Sequence, residues 1–159
     1  VLKNGDDACF LTLGDSLLYS TYIYLVRALR ELMPEAEIET VPGVTAFSGV
    51  AALTNFPVGE AKDPVTIVPA SDGDLGDIRR ALRGAGTVVL MKIGKCLHEV
   101  LDILEEENVI DNAVFVAYAG QEKQRIETDL RKLKNEKPET GYLSTILVRA
   151  NGNGDGGEK

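Results

Sequence analysis

The chain has 159 residues, 44% of them hydrophobic and 26% charged, which is enough to bury the core of one medium domain or two small ones. Its formal net charge of −8 and sequence pI near 4.7 exclude a broad basic surface for nucleic acid or an anionic membrane. The two cysteines, Cys9 and Cys96, lack zinc-site spacing. No apolar run approaches the roughly 20 residues that span a bilayer. These features predict a soluble, cytoplasmic protein.

The first part of the chain alternates predicted strands and helices. Residues 8–13 (ACFLTL) form a continuous apolar run, which is typical of a strand covered on both faces. Residues 37–41 (EIETV) predict a second strand, which Pro42-Gly43 ends. A helix is predicted between them, because apolar residues recur there at three- and four-residue spacing: Tyr22, Leu25, Val26, Leu29 and Leu32. Thr45 is predicted to cap a further helix of small residues.

Residues 54–64 (TNFPVGEAKDP) predict a connection between two lobes, since they combine two prolines, a glycine and mixed charge without any period. We therefore predict an incomplete parallel α/β lobe over residues 1–60. A second α/β lobe is predicted over residues 61–150. The polar, glycine-rich residues 151–159 predict a disordered tail.

The second lobe is predicted to contain a mixed, partly antiparallel sheet. Apolar runs predict strands at 65–70, 87–93 and 113–120, and residues 141–150 predict a last strand. Asp74 is predicted to cap one helix, and another helix is predicted over Leu97–Leu104. Residues near Ile126 alternate with charged residues, which predicts a further strand. No helical period lies between it and the last strand, so the sheet is predicted to be partly antiparallel there.

The chemistry is predicted to lie at the carboxyl ends of the strands, where loops can present backbone amides to a ligand. Four predicted strand ends carry suitable residues: Gly14-Asp15-Ser16, Pro42-Gly43-Val44-Thr45, Met91-Lys92 and Tyr118-Ala119-Gly120. Glycine allows a flat ligand to approach the backbone, and carboxylate and hydroxyl groups can bind a nucleoside. Ordinary turns and helix caps are the alternative interpretation.

Other reactive side chains favour structural interpretations. His98 and Cys96 lie two residues apart, so on a helix they point to different faces and do not form a catalytic pair. The carboxylates of residues 105–108 (EEEN) predict a solvated helix face rather than a metal site. Lys92 follows a strand, where it could meet a carboxylated ligand or simply be an exposed lysine.

Four segments in order resemble the S-adenosylmethionine-dependent tetrapyrrole methylases. They are GDSLLYSTYIYL (14–25), ETVPGVTAFSGVAA (39–52), VVLMK (88–92) and YLSTILVR (142–149). The resemblance covers nearly all of residues 8–150. It is greatest to the branch that methylates C20 of precorrin-2 or cobalt-factor II in cobalamin synthesis. It implies two α/β lobes, a homodimer, S-adenosylmethionine as cofactor and a tetrapyrrole as substrate, with neither nucleic acid nor membrane as partner.

The resemblance also implies the site residues. Cofactor contacts are implied for Leu13, Gly14, Asp15, Leu18, Thr45, Ala46, Met91 and Ala119. Tyr19 and Lys92 are hypothetical substrate contacts. We predict no general acid or base and no metal ligand, because methyl transfer from a sulfonium chiefly needs alignment of the two reactants.

Two departures from the family accompany the resemblance. Ser16 stands where the family usually has the proline of a GDP motif. The family's first strand and GxGPGD loop have no match, so we expect roughly the first third of such an enzyme to be absent from these residues. Three alternatives stay open: another tetrapyrrole methylase, the related diphthine synthase, or a non-catalytic fragment that dimerises or binds a partner.

Overall fold

A computed structural model describes residues 2–71 and 75–150 of the chain. The predicted cap at Asp74 and the predicted tail at 151–159 lie outside these residues. The contacts divide the chain into two compact units, Val1–Ala46 and Phe47–Lys159. The predicted lobe boundary near residue 60 stays a prediction.

The first unit contains the α-helix α1 (Tyr22–Leu32), which confirms the helix predicted from the apolar spacing. The predicted strands at 8–13 and 37–41 are wrong for this chain, because neither segment is assigned to a strand. A strand requires a hydrogen-bonded neighbour, and none of the described residues forms a ladder with either segment. The burial predicted for residues 8–13 is also wrong, because Leu11 is 85% exposed and Leu13 74%.

The helix predicted after Thr45 is present as α2 (Ala46–Thr54). The rest of the second unit alternates strands and helices, with short 3-10 turns at Gly94–Cys96, Ile110–Asn112, Leu130–Asn135 and Pro138–Gly141. Its elements are β1 (Val65–Pro69), α3 (Gly76–Leu82), β2 (Thr87–Met91), α4 (Leu97–Glu106), β3 (Ala113–Ala117), β4 (Arg125–Glu127) and β5 (Ser144–Arg149).

The five strands form one sheet in the order β1-β2-β5-β3-β4. β1 and β2 are parallel, whereas β5 is antiparallel to both β2 and β3, and β4 is antiparallel to β3. The prediction of a mixed sheet is therefore confirmed. The register pairs Leu90 with Ile146 and Ala117 with Ser144, so β2 and β3 end at the edge of the sheet where β5 begins. We call this the carboxyl edge.

The core of the second unit explains its long apolar runs. Every residue of β2 and β3 is buried, as expected for strands covered on both faces. α3 and α4 pack on one face of the sheet, where Ile78, Leu101, Phe115 and Ile146 belong to a single buried cluster. This packing fixes the loops that leave the carboxyl edge.

Candidate functional site

The turn after residue 13 is organised by the carboxylate of Asp15. Its Oδ1 accepts a hydrogen bond from the backbone N–H of Leu17 at 2.9 Å, and its Oδ2 accepts one from the N–H of Gly43 at 3.1 Å. These bonds, that from Leu17 first, hold the pKa of Asp15 below its ordinary value of 3.8. Asp15 is therefore a carboxylate that joins the 14–17 turn to the Pro42-Gly43 turn.

The two turns also pack backbone against backbone. A Cβ atom on Gly43 would lie 2.2 Å from the carbonyl oxygen of Gly14, so no larger residue fits there without movement. Gly14 itself has φ of +78°, a conformation that favours glycine. The first two predicted strand ends are thus brought together within the first unit.

The predicted cofactor residues of this unit leave an open surface. Gly14 and Ala46 are exposed, the Leu13 side chain is 74% exposed, and Leu18 and Thr45 are half-buried. An exposed glycine backbone beside an apolar side chain suits a flat nucleoside, because the ligand can approach the main chain closely. These residues therefore fit S-adenosylmethionine. Tyr19 is half-buried and has φ of +53°.

Ser16 is buried, unlike the residues on either side of it. Its side chain is 8% exposed, and its hydroxyl donates to the carbonyl of Val41 at 3.4 Å. The hydroxyl therefore adds a second link between the two segments that Asp15 joins. This bond provides a structural role for the residue that replaces the family's usual proline.

The predicted residues of the second unit lie at the carboxyl edge. Met91 is only 9% exposed, and its carbonyl accepts a hydrogen bond from the N–H of Ala70 at 2.6 Å. Lys92 is exposed with φ of +57°, and Ala119 is half-buried in the loop that follows β3. The low exposure of Met91 means that its side chain belongs mainly to the packing of the sheet edge.

The predicted site residues fall into both compact units. Those of the first unit are Leu13, Gly14, Asp15, Leu18, Tyr19, Thr45 and Ala46, and those of the second are Met91, Lys92 and Ala119. Within the first unit, the turns at 14–17 and 42–43 are in contact, and within the second, Met91, Lys92 and Ala119 lie along the carboxyl edge.

Residues that the sequence did not single out also meet at the carboxyl edge. Gly141 packs against the loop after β2, since a Cβ on Gly141 would lie 2.1 Å from the carbonyl oxygen of Gly94. The next residue, Tyr142, contacts the ring of Tyr118. The only sequence signal was a glycine before the last strand, and a glycine alone does not identify its partner.

His98 and the acidic run at 105–107 have structural surroundings. The Nε2 of His98 lies 2.9 Å from the carbonyl oxygen of Glu136. Glu106 pairs with Arg79, and Glu107 pairs with Arg83, whose hydrogen bond lowers the pKa of Glu107. The acidic run therefore forms an ion-paired surface.

Metal-ligand clusters and membrane-spanning helices are both absent from the described parts of the chain. Within residues 2–71 and 75–150, no group of three or more His, Cys, Asp or Glu side chains could hold a metal ion. No helix in those ranges is long and apolar enough to cross a membrane.

Comparison with known families gives a match over most of the chain. The sequence model of the tetrapyrrole (corrin/porphyrin) methylases matches residues 1–134. The chain belongs to this family. The match confirms the resemblance predicted from the four sequence segments.

Two similar proteins are longer than this chain. The cobalt-precorrin-2 C(20)-methyltransferase of Salmonella typhimurium is 28% identical over 147 residues, covering 92% of this chain and 60% of the relative. The precorrin-2 C(20)-methyltransferase of a Sinorhizobium species is also 28% identical, and the match covers 92% of this chain and 57% of the relative. The chain thus spans about three-fifths of the length of these relatives.

Solved structures of methyltransferases confirm the α/β fold of this chain. A cobalt precorrin-4 methyltransferase, CbiF, superposes with a TM-score of 0.68 at 17% identity, covering 86% of this chain and 61% of that one. The methyltransferase CobJ gives a TM-score of 0.59 at 24% identity, covering 88% and 62%. A uroporphyrin-III C-methyltransferase of Thermus thermophilus, complexed with S-adenyl homocysteine, gives 0.58 at 18%, covering 86% and 62%.

Proposed function

We propose that the protein containing these residues is an S-adenosylmethionine-dependent methyltransferase that methylates C20 of precorrin-2 or cobalt-factor II. The observation that carries the proposal is the similarity over 147 residues to a protein named for that reaction. The relative's C20 specificity is the part that requires a direct test.

The first unit would hold the cofactor through a preformed turn. When bound, S-adenosylmethionine supplies an electrophilic methyl group on a sulfonium. Gly14 leaves the backbone open, Leu13 and Leu18 offer apolar contacts, and Thr45 and Ala46 begin the helix beside the Gly43 turn. Asp15 is already bonded to the Leu17 and Gly43 amides, so it keeps these loops in place before any ligand arrives.

The other proposed contacts belong to the carboxyl edge of the second unit. Met91 and Ala119 lie at the ends of β2 and β3, and Lys92 is exposed directly after β2. Among the described residues, Lys92 forms no ion pair, so its ammonium group can meet a carboxylate of the tetrapyrrole. Tyr19 is the proposed substrate contact of the first unit. Binding and alignment would provide the acceleration, without a general base.

Isothermal titration calorimetry of the full-length protein tests the cofactor. We expect heat of binding for S-adenosylmethionine, and the absence of binding would overturn the proposed function. Mass spectrometry of reactions with a panel of tetrapyrroles then tests the substrate. A gain of one methyl group on another ring carbon, rather than on C20, would replace the proposed specificity.

Replacing Lys92 by Ala in the full-length protein tests the substrate contact. Loss of one charge-assisted contact should raise KM for the tetrapyrrole about tenfold, while KM for S-adenosylmethionine changes less. Steady-state kinetics with each substrate varied in turn measures both values. Lys95→Ala is the matched control, because Lys95 is also exposed and lies three residues further on. A larger effect on the cofactor would remove Lys92 from this role.

We also propose, from the resemblance, that the protein is a cytoplasmic homodimer. Within the described residues neither Cys9 nor Cys96 forms a disulfide, which is compatible with a reducing compartment. Sedimentation of the full-length protein should give twice the monomer mass, and localisation of a tagged copy tests the compartment.

A further inference from the structure

Three residues at the carboxyl edge share an unusual backbone conformation. Lys92, Tyr118 and Leu143 have φ of +57°, +51° and +48°, and each is the residue immediately outside a strand. Side chains other than glycine rarely adopt such values. These conformations persist only where the surroundings hold them, and they concentrate at ligand sites and active sites.

The loops that carry these residues are locked together. The backbone contact between Gly94 and Gly141 joins the loop after β2 to the turn before β5. The N–H of Tyr118 donates to the carbonyl of Leu143 at 3.0 Å, which joins the loop after β3 to the same turn. The Ser144 hydroxyl donates to the carbonyl of Gly141 at 2.7 Å and closes that turn. The edge is therefore a rigid platform rather than three independent loops.

Tyr142 is an exposed aromatic side chain on this platform. It is 60% exposed, yet its ring is held against Tyr118, with centroids 6.3 Å apart and planes at 61°. This edge-to-face contact leaves most of the Tyr142 ring accessible. An aromatic ring on a fixed backbone can bind a flat ligand with little loss of conformational freedom.

We propose that Tyr142 is a specificity-determining substrate contact, against which the flat conjugated part of the tetrapyrrole packs. This inference rests on the proposed function and adds a residue to it. Lys92 lies on the adjoining loop, so the edge offers an aromatic surface and a cation together. A large, flat molecule with carboxylate arms matches both groups, and the chain's net charge of −8 makes such a local cation important.

The test compares Tyr142→Ala and Tyr142→Phe in the full-length protein. Precorrin-2 and cobalt-factor II are titrated anaerobically, with binding followed by the absorbance of the tetrapyrrole, and S-adenosylmethionine is titrated by calorimetry. Loss of the ring should weaken tetrapyrrole binding about 3- to 10-fold. The Phe variant should bind as the wild type does, because the ring rather than the hydroxyl makes the contact. Cofactor affinity should not change.

Tyr24→Ala is the matched control, since Tyr24 on α1 is also an exposed tyrosine, at 69%, and is not one of the proposed contacts. An unchanged tetrapyrrole affinity in Tyr142→Ala would overturn the inference. Equal losses of tetrapyrrole and cofactor affinity would also overturn it, since they would indicate a structural role. If the wild type binds S-adenosylmethionine but neither tetrapyrrole, the proposed substrate fails instead.

Discussion

At the scale of single residues, Asp15 shows how a predicted ligand contact acquires a structural role. Its two carboxylate oxygens accept amide hydrogens from Leu17 and from Gly43, which lies 28 residues further along the chain. The sequence identified the carboxylate as a hydrogen-bond acceptor. It did not identify Gly43 as the donor, because that pairing depends on the path of the intervening chain.

The lowered pKa of Asp15 gives a pH dependence with a definite sign. A carboxylate whose folded pKa lies below its ordinary value of 3.8 stabilises the fold above that value. This contribution disappears as the pH falls through the folded pKa. We therefore expect the thermal midpoints of the wild type and Asp15→Ala to differ at pH 6 and to converge below pH 4.

Differential scanning fluorimetry across this pH range measures the effect, and Asp77→Ala is the control. Asp77 is exposed, and its side chain pairs with Arg80 three residues away rather than with a distant backbone amide. A difference between wild type and Asp15→Ala that stays constant down to pH 2 would contradict the assigned role.

At the scale of elements, the sequence predicted the helices and strands of the second unit better than the strands of the first. An apolar run such as residues 113–117 becomes a strand because β4 and β5 satisfy its backbone groups on both sides. Residues 8–13 have a similar composition but no strand neighbour among the described residues. Apolar sequence therefore predicted strand character, whereas strand formation required a partner.

Hydrogen exchange should separate these two classes of segment. In the 159-residue chain, we expect the amides of residues 8–13 and 37–41 to exchange rapidly. The amides of β2, β3 and β5 should exchange at least about a thousandfold more slowly, since they open mainly through global unfolding. Mass spectrometry of peptic fragments measures both. Protection of residues 8–13 as strong as that of β3 would contradict the absence of a strand there.

At the scale of the whole molecule, the buried apolar residues are distributed unevenly. The second unit contains a continuous core, whereas the only buried residues described in the first unit are Ser16 and Tyr22. Stability should therefore reside mainly in the second unit, because burial of apolar surface is the dominant favourable term in folding.

Two leucine-to-alanine variants on helices test this distribution. Leu101 in α4 is fully buried, and its truncation should lower the free energy of unfolding by about 2–5 kcal/mol. Leu32 in α1 is 79% exposed, and its truncation should change that free energy by only about 0.5 kcal/mol. Urea unfolding followed by circular dichroism measures both. Equal losses of unfolding free energy in the two variants would show that the first unit contributes as much to stability as the second.

The sequence by itself determined the family, the order of elements in the second unit and the ends of β2 and β3, where part of the proposed site lies. These features follow from periodicity, turn residues and short motifs, which are local properties of the chain. Tertiary structure decided that Asp15 bonds to Gly43, that Gly141 packs on Gly94 and that Tyr142 stands against Tyr118. Such pairs depend on sheet order and loop paths, which bring together residues that no local pattern connects.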